Sequence, residues 1–153
     1  MDKSKPILVT GATGYIASWI IERLLNQGYS VHATVRDPSK KNKIQHLYDL
    51  ADKSSGQIQF YQADLLEPNS FDEAMQGCEV VIHTASPFVV TNYKDAVKDI
   101  IEPAVKGTEN VLDSVNRTES VKRVVLTSSI ASTYGDAIEI QNTANNEFDE
   151  SHW

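Results

Sequence analysis

Two groups of residues in this 153-residue chain have the types and spacing to hold phosphate. The first is Gly11-Ala12-Thr13-Gly14-Tyr15-Ile16-Ala17, small residues at a G-x-x-G-x-x-A spacing. Gly11 permits a sharp turn, because it lacks the Cβ that forbids unusual φ. Gly14 lets a pyrophosphate approach backbone N–H groups at the start of a helix, and Ala17 lets that helix pack closely on the strand before it. The second group is Arg36 with Lys40 and Lys43 just beyond it. A guanidinium fork matches a phosphate monoester by charge and shape, and an ammonium group can add a second cation. At least one of Lys40, Lys41 and Lys43 is expected to belong to a plain solvated face.

These residues need elements to position them. Ile7-Leu8-Val9-Thr10 reads as a buried strand entering the glycine turn. Ile16, Trp19, Ile20, Arg23 and Leu24 then recur at helical spacing over residues 15–27, and Gly28 stops the helix. Residues 30–35 read as a second strand. A turn follows at Arg36-Asp37-Pro38-Ser39, with Ser39 a candidate helix cap, before a helix over 40–52. Residues 58–61 are a third strand. Ser70 with Glu73 predicts a capping box for a short helix. Residues 79–83 are a continuously apolar fourth strand, as a central parallel strand should be. A helix over 93–115 carries Val97, Ile101, Val105, Val111 and Leu112 among its apolar positions, with a kink at Pro103. Residues 121–127 make a fifth strand. Beyond Gly135 the pattern fades into polar residues.

Five strands alternating with helices predict an α/β fold, a Rossmann-type doubly wound parallel sheet truncated after about the fifth strand. Ligands of such a sheet bind outside the carboxyl ends of its strands, where every candidate residue falls. The glycine turn, set between strand and helix, points to a dinucleotide. Arg36 stands where a carboxylate would accept from a free ribose 2′-OH, so the spacing favours the 2′-phosphorylated cofactor, with Asp37 turned away to serve the turn. Asp64 and Leu65 end the third strand beside the expected adenine. Asp64 there can accept from the adenine amino group or simply turn the chain. Thr84-Ala85-Ser86 leaves small residues where the nicotinamide-side ribose should pass. His83 reads as a satisfied core histidine.

Composition narrows the classes. The net charge of −7 argues against general nucleic-acid binding. The single cysteine, Cys78, allows no intrachain disulfide and reads as a small buried hydrophobe. No apolar run reaches membrane-span length and no signal-type segment precedes the first strand. The expectation is a cytoplasmic protein with no nucleic-acid or membrane partner.

Together these stretches resemble the extended short-chain dehydrogenase/reductase (NAD-dependent epimerase/dehydratase) superfamily, in its dihydroflavonol-reductase-like and methylglyoxal-reductase branch. The resemblance is carried by Val9 to Ala17, Val35-Arg36-Asp37-Pro38, Ala63-Asp64-Leu65, His83-Thr84-Ala85-Ser86-Pro87-Phe88, Pro103 to Thr108, Arg123 to Ser129, and Phe148 to Trp153. It implies reduction of an aldehyde or ketone by NADPH, with serine, tyrosine and lysine as catalytic groups. It carries cofactor contact onto Gly11, Thr13, Gly14, Tyr15, Ile16, Arg36, Lys40, Lys43, Asp64, Leu65, Thr84, Ala85, Ser86 and Thr127. The catalytic serine carries over onto Ser129, a reading favoured over that of a plain turn or cap hydroxyl. Phe88 and its successors are expected to line part of the substrate pocket.

One departure from that pattern is plain. The family's tyrosine and lysine lie at Tyr-x-x-x-Lys, one helical turn apart. The residues four positions after Tyr15, Tyr29, Tyr48, Tyr61, Tyr93 and Tyr134 are Trp19, Ala33, Asp52, Leu65, Val97 and Ile138. The expectation is therefore that residues 1–153 are the NADP-binding front part of a longer reductase, inactive as given, or that a second chain completes the sheet. The competing readings are a non-catalytic NADP(H)-binding or redox-sensing module and a nucleotide-sugar epimerase or dehydratase fragment, the latter disfavoured by Arg36.

Overall fold

Ile7–Thr10 forms β1, buried at every residue, as a strand covered on both faces should be. The computed structural model describes residues 2–87 and 93–152. Phe88, expected at the substrate pocket, and Trp153 lie outside them. Ser30–Val35, Gln57–Gln62, Val80–His83 and Arg123–Leu126 form β2 to β5. All pairs are parallel, in the order β3-β2-β1-β4-β5. The chain starts in the middle of the sheet, steps outward to β3, then returns to lay β4 on the other side of β1. That reversal makes a switch point between β1 and β4, so the expected Rossmann-type sheet is present.

Helices α1 (Tyr15–Asn26), α2 (Lys41–Asp52), α3 (Asp72–Met75) and α4 (Glu102–Arg117) connect the strands. Alternating strand residues point to opposite faces, and two cores result. Ile7, Val9, Val31 and Ala33 meet Ile21, Leu25, Ile44 and Leu47 of α1 and α2 on one face. Leu8 and Val81 meet Phe71, Met75 and Val111 on the other. Full burial of such a side chain contributes about 1.5–3 kcal/mol. Among the described residues, no helix is long and apolar enough to cross a membrane.

Four local expectations are corrected. The buried stripe of α1 is Ala17, Ile21, Leu24 and Leu25. Ile16 and Trp19 are exposed, because the stripe of α1 that carries Ala17 is the one laid against the sheet. Ser39 does not cap α2, whose first flanking residue is Lys40. Its hydroxyl and N–H instead donate to the Asp37 carboxylate. Ser70 and Glu73 form no capping box: the Ser70 hydroxyl bonds both backbone groups of Asp64, and α3 has no side-chain cap. The long helix over 93–115 is two structures. Val97–Ile101 is a π-helical turn, and α4 begins with Pro103 in its first turn. Proline offers no N–H to the preceding turn and crowds its carbonyl, so the regular helix restarts there. Of the apolar residues predicted to make one face, Val97, Ile101, Val105 and Leu112 are exposed, and the buried line of α4 is Gly107, Val111 and Ser114.

Candidate functional site

The carboxyl ends of all five strands are tied to one another. The Ala12 N–H donates to the Thr34 carbonyl and Gly11 to the Thr34 hydroxyl, joining the glycine turn to β2. Ala63 donates to Val35, and Thr127 to His83. Between β1 and β4 the link is Thr10, fully buried in an otherwise apolar strand. Its hydroxyl accepts from the N–H groups of Thr84 and Ala85, each at 3.1 Å. Both lone pairs are then in use, so its proton goes to His83 Nδ1, 2.8 Å away. His83 is a neutral imidazole with its proton on Nε2, and burial holds its pKa below the usual histidine value. The core-histidine reading stands. Thr10 itself escaped sequence reasoning; a lone hydroxyl in an apolar strand was the available signal.

Gly11 has φ +68°, and a Cβ there would meet Ala85 backbone and side chain at 3.0 Å. The turn therefore needs glycine twice over, for conformation and for space. Gly14 flanks α1 with extended backbone and no side-chain cap, and the first helical bond runs from Ser18 N to Gly14 O. The N–H groups of the first turn are left without intrahelical acceptors. Thr13, Tyr15 and Ile16 are exposed around them. This is a ready anion site by position and by helix dipole.

Arg36 stands two residues past Thr34, exposed, with no ion-pair partner among the described residues. Asp37 faces the turn. It accepts from Ser39 and pairs with Lys40 at 3.3 Å, and the Ser39 hydrogen bonds hold its pKa below the usual carboxylate range. Lys40 is thus engaged by Asp37, whereas Lys43 lies exposed in the first turn of α2. Asp64 turns the chain with one oxygen, which accepts from Leu66 N at 2.9 Å. Leu65 packs against Gly107 of α4, where a Cβ would come within 3.0 Å of it. Thr84 also donates its hydroxyl to Thr10 O. Ser86 and Thr127 are exposed at the ends of their loops.

Ser129 follows β5. Its hydroxyl accepts from Ala131 N at 3.2 Å and begins a 3-10 turn over Ile130–Ser132. The oxygen keeps a free lone pair and a proton, and the side chain is exposed. Among the described residues no cluster of His, Cys, Asp and Glu is placed to hold a metal ion.

The sequence model of the NAD dependent epimerase/dehydratase family matches residues 7–152. The chain belongs to that family. It is 53% identical over 125 residues to cinnamoyl-CoA reductase CAD2 of Medicago truncatula, covering 82% of this chain and 38% of that protein. It is 40% identical over 152 residues to dihydroflavonol 4-reductase of Gerbera hybrida, covering 99% of this chain and 40% of that one. Among solved structures, Gre2 of Candida albicans in complex with NADPH superposes with a TM-score of 0.72 at 33% identity, covering 85% of this chain and 38% of that one. Yeast methylglyoxal/isovaleraldehyde reductase Gre2, also complexed with NADPH, gives 0.69 at 32% identity, over 84% and 38%. The family member described here spans about two-fifths of the length of these relatives.

Proposed function

We propose that residues 1–153 are the NADP(H)-binding part of a reductase that converts an aldehyde or ketone to an alcohol. The observation that carries this reading is the pairing of an uncapped helix N-terminus at Gly14 with an unpaired Arg36, while the neighbouring carboxylate, Asp37, faces the turn. A carboxylate aimed at the ribose would repel a 2′-phosphate, and here it is occupied elsewhere. The residues fit the group. The first-turn N–H groups of α1 would hold the pyrophosphate, Arg36 and Lys43 the 2′-phosphate, and Asp64 with Leu65 the adenine. Lys40 serves by fixing Asp37. Relatives described as NADPH complexes support the same cofactor.

The cofactor, when bound, supplies the hydride. Ser129 then hydrogen-bonds the carbonyl oxygen and stabilises the charge that grows there. The loop over Thr84-Ala85-Ser86, held to β1 by Thr10, would carry its small residues past the second ribose. Proton delivery needs a further donor. No tyrosine in these residues has a lysine four positions on, so we assign that pair to another part of the protein or to a second chain that also covers β5. Buried, reduced Cys78 fits a cytosolic setting.

The test is direct titration with NADPH and NADH, followed by carbonyl-dependent NADPH oxidation in the full-length protein. NADPH is expected to bind at least about tenfold more tightly, since charge-assisted hydrogen bonds contribute about 1.5–3 kcal/mol. Arg36→Ala should remove most of that preference and leave NADH binding unchanged. Equal affinity for the two cofactors in the unmodified protein would overturn the assignment.

A further inference from the structure

The loop that carries Asp64 and Leu65 is closed by hydrogen bonds of its own, among them Leu66 N to the Asp64 carboxylate and the Ser70 hydroxyl to the Asp64 backbone. It bends through Asn69, which holds a left-handed φ of 63°. Its hydrogen bonds to α4 all come from one side chain there. Asn110 Nδ2 donates to the carbonyls of Leu65 at 3.2 Å and Glu67 at 2.6 Å, and its Oδ1 accepts from the Asn69 N–H at 3.0 Å. The orientation of the amide is fixed by these partners, because the flipped amide would set oxygen against two carbonyls and NH2 against an N–H. Asparagine is a poor helix-interior residue, as its side chain competes for backbone hydrogen bonds. Here it bonds the backbone of another segment instead. Gly107 lies three residues earlier on the same helix face and lets α4 approach until Leu65 touches its backbone. One residue supplies proximity and the other supplies the bonds.

We infer that Asn110 is a positioning residue for the cofactor: it clamps residues 65–69 so that Asp64 stays at the adenine amino group. The inference rests on the NADP(H) reading of the site. Ser70 closes the same loop from inside, through both backbone groups of Asp64, so the loop stays folded without the clamp and loses only its placement relative to α4. Asn110 touches no reacting atom. Its effect passes through Asp64.

The test compares NADPH with its deamino analogue, in which hypoxanthine replaces adenine, by equilibrium titration. Because Asp64 accepts from the adenine amino group, the unmodified protein is expected to prefer NADPH. Asn110→Ala should weaken NADPH binding by roughly tenfold, leave the analogue nearly unaffected, and so collapse the preference, with the unfolding midpoint little changed. Asn110→Asp keeps the acceptor for Asn69 but sets a carboxylate against two carbonyls, and should do the same or worse. Asp64→Ala should abolish the preference, and adding Asn110→Ala to it should cost nothing further, as coupled residues require. Equal losses for both ligands, or additive losses in the double variant, would show a merely structural role and overturn the inference. If the unmodified protein binds NADPH without preferring it, the route through Asp64 fails while the cofactor reading stands. If it binds no NADPH, both fail.

Discussion

The two sides of the sheet are built to different standards. On the β1–β2 side, every residue of β1 and most of β2 is buried, beneath α1 and α2 on one face and α3 and α4 on the other. On the β5 side, three of four strand residues are exposed, and β5 is the edge of the sheet among the described residues. Val125 and Leu126 of β5 are exposed apolar residues, as are Val105 and Leu112 of α4. The features that would hold a nucleotide lie at the finished side: the glycine turn, Arg36, and the Thr10 link. Ser129, which would serve the carbonyl, lies beyond the unfinished one. On the proposed reading, cofactor binding and proton chemistry would rest on regions buried to different degrees, and an open apolar edge strand is one that proteins normally cover.

The comparison is sharpest in core substitutions. Leu25→Ala, at a fully buried position under the sheet, should cost about 2–5 kcal/mol in denaturant unfolding. Leu126→Ala, 52% exposed on β5, should stay within about 0.5 kcal/mol. Comparable losses at the two sites would mean that something covers β5 in solution.

A smaller effect should follow pH. His83 joins the finished side to β4, and its folded pKa lies below the ordinary value of 6.5 because it is buried. The unfolded chain therefore takes up the proton first. Stability is complete above that value and falls as pH drops through it, by up to about 1.4 kcal/mol per pH unit. Protonation would also set Nδ1–H against a Thr10 hydroxyl whose lone pairs are filled, loosening the Thr84–Ala85 loop. His83→Asn should flatten the unfolding free energy between neutral and mildly acidic pH; an unchanged slope would place the acid sensitivity elsewhere.

The smallest effect concerns Cys78, whose thiol burial pushes up to about 12. Folded protein should resist iodoacetamide near pH 8, and urea-unfolded protein should alkylate readily. Stability should decline as pH rises above the ordinary thiol value of 9.0, where the unfolded thiol ionises first. Rapid alkylation of folded protein would show that the α3 side opens easily.

Much of this molecule is legible in the chain itself. The apolar run before Gly11, the glycine spacing, and the alternation of strands with helices follow from local sterics and hydrophobic period, and these already specify a doubly wound parallel sheet. Gly11 was readable because glycine takes its φ of +68° at no steric cost. Arg36 and Asp37 were readable because charge and turn chemistry act within a few residues. Periodicity did not tell which of two interleaved stripes of α1 faces the sheet, since Ile16 and Trp19 repeat as regularly as Ile21 and Leu25. Packing chose the stripe that brings Ala17 against β1. Nor could spacing assign the hydroxyls of Ser39 and Ser70, each within reach of a helix start. Their partners, Asp37 and the Asp64 backbone, became available only when the turns closed. The Thr10–His83 link and the Asn110 clamp span 73 and 41 to 45 residues. Hydrogen bonds of that separation depend on the sheet order and on how closely α4 approaches, and only the assembled fold decides either.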